Sequence, residues 1–497
     1  MNTEMNLQQI GRSKRTVIIC LTAMFMLIAG YSSAAVNTLL NSGTWETPAN
    51  WSTGSIPTDA DDVIIPGDIV VTINSSAICG SLTFGDMGAA SSITISGSNS
   101  LTIATSGGRN GNLYFNPNNN TELYQLNVNA GSLTVEGQVV SGGNNGGGIV
   151  VTTGSVLFSS TATMIWGEAV NVTINGTGNV TFNGDLSLST VSSGFTSFSL
   201  TNSGSFIFNG AVTQSDASYT ISNTGTAGNF YFNDGYDISA GTFTTMNGTN
   251  IYASTAFNNS GSSLVLDPGS NFIVNANTSI TPTSAINLGD VIMNSGNTLT
   301  LNGNISVAGD WTNNGGTLTP NTSTVSFNSA TAKSINGTAA SQTFYNVEVA
   351  LGAGQALSIG GSTTTFTTNS LTLTTGNFSA GTATTVNIDG DLTITTGTYT
   401  CGTTTNLTGS LSNAGTFTGA VGRTLNFIGA TNATVTGAGT FLIYNIGLNK
   451  STKATTVEIQ SSTFITGINT AAAYNFTFTR GTWRNNHAGS LTDCHNN

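Results

Sequence analysis

Gly178-Asn179-Val180-Thr181-Phe182-Asn183-Gly184 returns as Gly204-Ser205-Phe206-Ile207-Phe208-Asn209-Gly210 and again as Gly228-Asn229-Phe230-Tyr231-Phe232-Asn233-Asp234. Those three copies are 26 and then 24 residues apart, and Gly111-Asn112-Leu113-Tyr114-Phe115-Asn116 reads as an earlier one. Each copy is a short run of alternating apolar and polar residues that ends in a Gly or Asn turn. One such strand cannot bury its apolar side alone, so a unit of this kind that recurs every 18 to 26 residues predicts a chain coiled on its own copies.

The same rhythm extends in both directions. Leu101/Ile103, Leu133/Val135, Val172/Ile174, Leu186/Leu188 and Leu299/Leu301 each put two apolar side chains on one strand face, with Thr, Ser or Asn on the other. No segment shows a sustained helical period with caps. The clearest register comes late: Leu371-Thr372-Leu373-Thr374-Thr375-Gly376-Asn377-Phe378 maps onto Leu392-Thr393-Ile394-Thr395-Thr396-Gly397-Thr398-Tyr399, and loosely onto Ser410 to Phe417. Local hairpins would need two-residue turns at fixed spacing. Here the turn lengths wander while the whole-coil spacing holds. The expectation is an all-β, right-handed parallel β-helix with an N-terminal cap segment, of on the order of 20 coils and about 100 Å long at ~4.8 Å per coil. The Asn residues of the Phe-Asn-Gly copies are placed to form hydrogen-bonded ladders.

Composition agrees. Only 6% of the 497 residues are charged, 61 are Gly and 7 are Pro, while Phe numbers 24. Disordered chains carry more charge and Pro and fewer β-branched residues. The net charge is −12 with ten Lys and Arg, three of them (Arg12, Lys14, Arg15) in the first fifteen residues. So few cations cannot neutralise phosphates, which argues against a nucleic-acid partner. Those three cations precede the apolar run Val17 to Ala29 and then Tyr31-Ser32-Ser33-Ala34-Ala35, the pattern of a secretory signal cleaved near Ala34 or Ala35. The run is short for a membrane span. Cys20 lies inside it. Cys79, Cys401 and Cys494 remain, far apart and odd in number, so no disulfide framework is expected, and Cys79 reads as a small buried residue. The expected division is 1–35 signal peptide, 36–98 capping segment and 99–497 solenoid.

Residues 36 to about 95 hold two of the five Trp and three of the seven Pro. Gly43-Thr44-Trp45, Asn50-Trp51, Asp61-Asp62-Val63-Ile64-Ile65-Pro66-Gly67 and Val70-Val71-Thr72-Ile73 resemble the opening segment of many secreted proteins of the Bacteroidetes type. In part they also resemble the start of the eight-glycine domain of extracellular β-helix proteins. A second resemblance lies at Gly309-Asp310-Trp311-Thr312-Asn313-Asn314-Gly315-Gly316-Thr317-Leu318-Thr319-Pro320, through Ile335-Asn336-Gly337, to Phe344-Tyr345-Asn346-Val347-Glu348-Val349, with a degenerate copy from Arg423 to Leu448. It is similar to a repeat of large Bacteroidetes surface proteins exported by the type IX system. The resemblance implies a secreted or cell-surface adhesin-like protein. Such proteins end in a β-sandwich sorting domain, whereas this chain reads as repeat up to Asp493-Cys494-His495-Asn496-Asn497.

Candidate sites are few. Trp45 and Trp51 offer aromatic faces to a pyranose, or else plug the open end of the core. Asp59, Asp61 and Asp62 offer hard oxygen ligands to calcium, or else form a solvated turn, as do Asp389-Gly390-Asp391 and Asp234-Gly235-Tyr236-Asp237. A polysaccharide-cleaving β-helix needs carboxylates paired on one face; Glu122, Glu136, Glu168, Asp185, Asp290 and Asp310 are scattered, and Arg109 and Lys333 stand alone. His487, Cys494 and His495 lack metal-site spacing. Thr372/Thr374 and Thr393/Thr395 form an outward Thr array that ends at Ser412. The reading is a secreted, non-enzymatic structural or adhesin-like β-solenoid without a cofactor, contacting extracellular polysaccharide or cell-surface components. The alternative is a carbohydrate-active β-helix, a polysaccharide lyase or a glycoside hydrolase.

Overall fold

Leu371, Thr372 and Leu373 pair residue for residue with Leu392, Thr393 and Ile394 on the next turn, and these pair with Leu411, Ser412 and Asn413 on the turn after. The strands are parallel, as stacked coils require. The computed structural model describes residues 35–85, 90–115, 124–141, 147–166, 169–189, 195–261, 264–466, 475–486 and 494–495. The signal-like segment, Glu122, Glu168 and His487 lie outside them. Within them the chain winds as a β-solenoid of about 18 turns, which makes a rod of roughly 85 Å at ~4.8 Å per turn. Apart from two single-turn 3-10 segments and the short helix Ser462–Thr466, the regular elements there are strands. None of the described helices is long and apolar enough to cross a membrane.

Each turn carries three strands, which stack into three faces. In one turn they are Leu186–Leu188 on the first face, Thr196–Leu200 on the second and Ser205–Phe208 on the third. In the next they are Val212–Gln214, Tyr219–Asn223 and Gly228–Phe232, each paired in parallel with its predecessor. The Gly178, Gly204 and Gly228 copies therefore lie one above another on the third face. The Gly111 copy does not. Leu113–Phe115 stacks between Leu82–Phe84 and Val139–Ser141 on the first face. All three faces alternate apolar and polar residues with a period of two, so local pattern does not say which face a strand joins.

Period two puts every second side chain into a common core. Phe158, Phe182, Phe208 and Phe232 form one file with ring centroids 4.6, 5.3 and 5.2 Å apart. Phe378, Tyr399 and Phe417 form another, at 5.4 and 5.1 Å. These rings are at most 1% exposed, and each buried side chain of this size contributes roughly 1.5–3 kcal/mol. No turn could shelter such a file alone, which is why repeat spacing rather than helix propensity decides the fold.

Stacking begins well before residue 99. Val36–Thr38 pairs with Asp62–Ile64, and Val70–Ile73 pairs with Ser92–Ile95. The closing role falls to residues 39–58. There the chain doubles back: Leu40 N–H donates to the Asn50 carbonyl at 2.7 Å and Ser52 N–H to the Thr38 carbonyl at 2.9 Å, around an antiparallel Leu39–Trp51 bridge. Buried Asn37 holds the return by donating to the Ser55 carbonyl. The outer edge of the first strand is thereby engaged at Thr38, whose N–H and carbonyl both bond Ser52. At the other end, Phe464 on the short helix packs edge-on against Phe441, centroids 5.1 Å apart.

The first-face ladder is interrupted twice. Between 139–141 and 164–165 the Gln138 amide bridges the gap, accepting from Ile165 N–H at 3.2 Å and donating to the Thr163 carbonyl at 3.4 Å. Between Thr317–Thr319 and Ser341–Thr343 no strand pairing forms; each pairs only with its far neighbour. On the second and third faces the same two turns are stacked directly.

Candidate functional site

On the third face, outward positions that carry Thr on the turns just before and just after, Thr181 and Thr312, are apolar over five consecutive turns. Ile207, Tyr231, Tyr252, Ile273 and Ile292 stand in one register column, each partly exposed. The strip is about 19 Å long at ~4.8 Å per turn. The Tyr231 and Tyr252 rings lie parallel within 5°, centroids 4.3 Å apart. Each covers one face of the other. Burial, and then the neighbouring Tyr252, hold the Tyr231 phenol above its ordinary pKa.

An amide ladder runs along one side of the strip, and a second borders the other side over its first two turns. On one, Asn229 donates to Ser205 Oγ at 3.2 Å, Asn250 to Asn229 at 3.0 Å and Asn271 to Asn250 at 2.8 Å. On the other, Asn209 donates to Asn183 at 3.1 Å and Asn233 to Asn209 at 2.9 Å; these are the Asn of the repeated motif, and the expected ladder is present. Each internal amide keeps a second N–H and a lone pair for an outside partner. From residue 110 to 332 the chain has ten Asp and Glu and no Lys or Arg. The strip and its ladders are neutral until Asp290 ends the column. An apolar track edged by amides and set in an acidic rod suits a neutral, hydroxyl-bearing partner and repels an anionic one. The sequence signal is the run of three apolar residues, as in Phe206-Ile207-Phe208 and Phe230-Tyr231-Phe232, where strict alternation fails.

The residues singled out from sequence are placed differently. Trp45 and Trp51 are 0% and 2% exposed. Their rings meet edge to face, centroids 4.8 Å apart, and Trp51 Nε1 donates to the Trp45 carbonyl at 2.7 Å. Neither ring has a face open to a pyranose; both fill the core beneath the doubled-back segment. Asp59, Asp61 and Asp62 diverge. Asp59 accepts from Ser106 Oγ and Asp61 from the Thr58 N–H and hydroxyl. Asp62 accepts from Ser81 Oγ at 2.6 Å and pairs with the Arg109 guanidinium at 2.9 Å. Arg109 is not isolated, and among the described residues no three His, Cys, Asp or Glu converge on a metal position.

The scattered carboxylates have a shared structural use. In Gly184-Asp185, Gly289-Asp290, Gly309-Asp310 and Gly390-Asp391 the Asp Oδ1 accepts a backbone N–H one turn on, from Ala211, Asp310, Ser334 and Ser410 at 2.6–2.9 Å. A side chain at Gly309 or Gly409 would collide with that oxygen. Burial raises the Asp290 pKa, which the Asp310 N–H partly opposes. Glu136 binds the N–H and hydroxyl of Thr105. Cys79 and Cys401 are buried free thiols; burial raises both, Cys401 to about 12. Lys450 is 1% exposed, with Nζ donating to the carbonyls of Thr408 and Ile428 on the two preceding turns at 2.8 and 2.7 Å. Burial pulls its pKa down to about 8.

The chain matches no family model, no curated protein and no solved structure.

Proposed function

We propose that this protein is a secreted or cell-surface, adhesin-like β-solenoid that contacts neutral polysaccharide along its third face and catalyses no reaction. The observation that carries the reading is the Ile207–Tyr231–Tyr252–Ile273–Ile292 column with the amide ladders beside it. Ring edges and methyls suit the C–H surfaces of a sugar, and amides repeated every turn suit its hydroxyls. Secretion is supported by Arg12, Lys14 and Arg15 ahead of the apolar run Val17 to Ala29. A surface protein of the Bacteroidetes type is the class its repeats resemble. We take the winding as right-handed, the sense adopted by nearly all parallel strand crossovers.

Four Asp side chains, Asp185, Asp290, Asp310 and Asp391, are engaged with backbone N–H groups of the next turn, which supports a scaffolding use of these carboxylates over a catalytic one. The test is a glycan array probed with the full chain and with a Tyr231→Ala/Tyr252→Ala variant, alongside a reducing-sugar release assay. Binding to neutral glycans that the variant loses is the expected result. Release of new sugar ends would overturn the non-catalytic reading. Retained binding by the variant would remove the third face from it.

A further inference from the structure

The two interruptions of the first-face ladder are resolved differently. At the first, the Gln138 side chain makes two hydrogen bonds across the gap, to the Thr163 carbonyl and from the Ile165 N–H. At the second, no side chain bridges in this way; Gln342, the inward-facing middle residue of the strand beyond the gap, donates its Nε2 to the Asn336 carbonyl at 2.9 Å and Thr363 Oγ1 at 3.0 Å. Its Oε1 is then buried without a partner, and so is the Nε1 of Trp311 on the turn before. Both residues line one cleft of about 210 Å³ between Thr317–Thr319 and Ser341–Thr343.

An orphaned buried donor or acceptor costs roughly 1–3 kcal/mol, so a wall holding one of each is incomplete. The cleft carries no charged residue. Thr317, Ser341 and Thr343 stand exposed on its lining, and Leu318 is its partly exposed apolar member. The strands on its two sides present backbone groups that have no ladder partner across the gap. Trp311 and Phe344, packed edge to face at 5.1 Å, give an apolar floor. A charged ligand would find no counter-charge here. The volume lies below the roughly 300–1,000 Å³ of pockets that enclose drug-sized ligands. It suits one small ring whose hydroxyls both donate and accept.

We propose that this cleft is a subsite for a single neutral, hydroxyl-rich unit, a sugar residue at a chain end or branch. This rests on the reading of the rod as a glycan-contacting protein but uses a different face. The deepest hydroxyl accepts from Trp311 Nε1 and donates to Gln342 Oε1. The outer hydroxyls meet Thr317, Ser341 and Thr343.

The full chain is titrated by saturation-transfer NMR and calorimetry with the methyl glycosides of glucose, galactose, mannose and N-acetylglucosamine, and with a blocked trialanine peptide. At least one glycoside binds; Ser341→Ala/Thr343→Val and, separately, Gln342→Leu each weaken it at least tenfold, and Tyr231→Ala/Tyr252→Ala leaves it unchanged. Circular dichroism and retained array binding show that the cleft variants are folded. The double variant alters only exposed hydroxyls, so it decides the matter if Gln342→Leu does not fold. No glycoside binding, binding indifferent to Ser341→Ala/Thr343→Val, capture of the peptide instead, or a crystal soaked in glycoside that shows water alone in the cleft would each overturn the proposal. Loss of array binding in the tyrosine variant with cleft binding intact separates the two sites.

Discussion

Tyr231 and Tyr252 are 21 positions apart in sequence and lie ring on ring, 4.3 Å between centroids. Burial, and then the charge and hydrogen bond of Tyr252, raise the Tyr231 pKa. Tyr252→Phe removes the second and third of these causes and keeps most of the first. The Tyr231 pKa therefore falls part of the way towards the ordinary phenol value, read by pH titration of ring-labelled tyrosine in NMR. An unchanged Tyr231 midpoint would mean that the two hydroxyls do not interact.

Asn209 sits mid-ladder, donating to Asn183 and accepting from Asn233. Its side chain is exposed, so each lost bond is worth at the low end of roughly 0.5–1.5 kcal/mol. Asn209→Ala loses both and is expected to cost about 1 kcal/mol. Asn183→Ala added to it should cost less than it does alone, because their shared bond is already gone. Thermal denaturation of the two single variants and the double variant measures that coupling.

The glycine before each aromatic in the late repeat has a backbone reason. Gly397 has φ +78°, and a Cβ there would run into the Gly376 carbonyl oxygen of the preceding turn. Gly422 has φ +84° with open space around it. Gly422→Ala therefore costs only the left-handed strain, about 1–2 kcal/mol. Gly397→Ala adds a collision between stacked turns and should lower the melting temperature clearly further. Equal losses would show that the turns part easily there.

Lys450 makes stability depend on pH in one direction. Its folded pKa is about 8 against an ordinary 10.5. Between those values the unfolded chain binds more protons than the folded one, so stability rises with pH from about 8 to 10.5 and is flat below. Other groups titrate in that window, and the difference between the wild type and Lys450→Met isolates this one. The wild type should gain on the variant in melting temperature as pH rises from 8 to 10.5. A constant difference would show that Lys450 titrates normally.

The stacked parallel architecture was legible where a long register repeats. Leu371, Leu392 and Leu411 align in the sequence as they do in space. Period-two patterning does not carry face identity, so Gly111 to Asn116 looked like its later counterparts although Leu113–Phe115 stacks on another face. Contacts across turns were invisible for a related reason. Arg109 reaches Asp62 only because the chain has wound round between them. The third-face strip was hidden inside strand-like apolar triplets, whose middle members count as core until the winding shows that they point outward. The gap between 317–319 and 341–343 left no local sign, since both segments are ordinary strands and only their failure to pair sets them apart.

The doubled-back segment around Asn50 and Ser52 bears on how such rods behave in a crowd. A stack of parallel strands is a ready template for fibrillar growth, because each open rung can recruit a copy of itself. Here residues 50–52 lie along the first strand in the opposite direction, so a newcomer in the parallel register meets the Leu40 N–H and the Thr38 carbonyl already engaged. On that face the doubled-back chain obstructs templated growth from this pole.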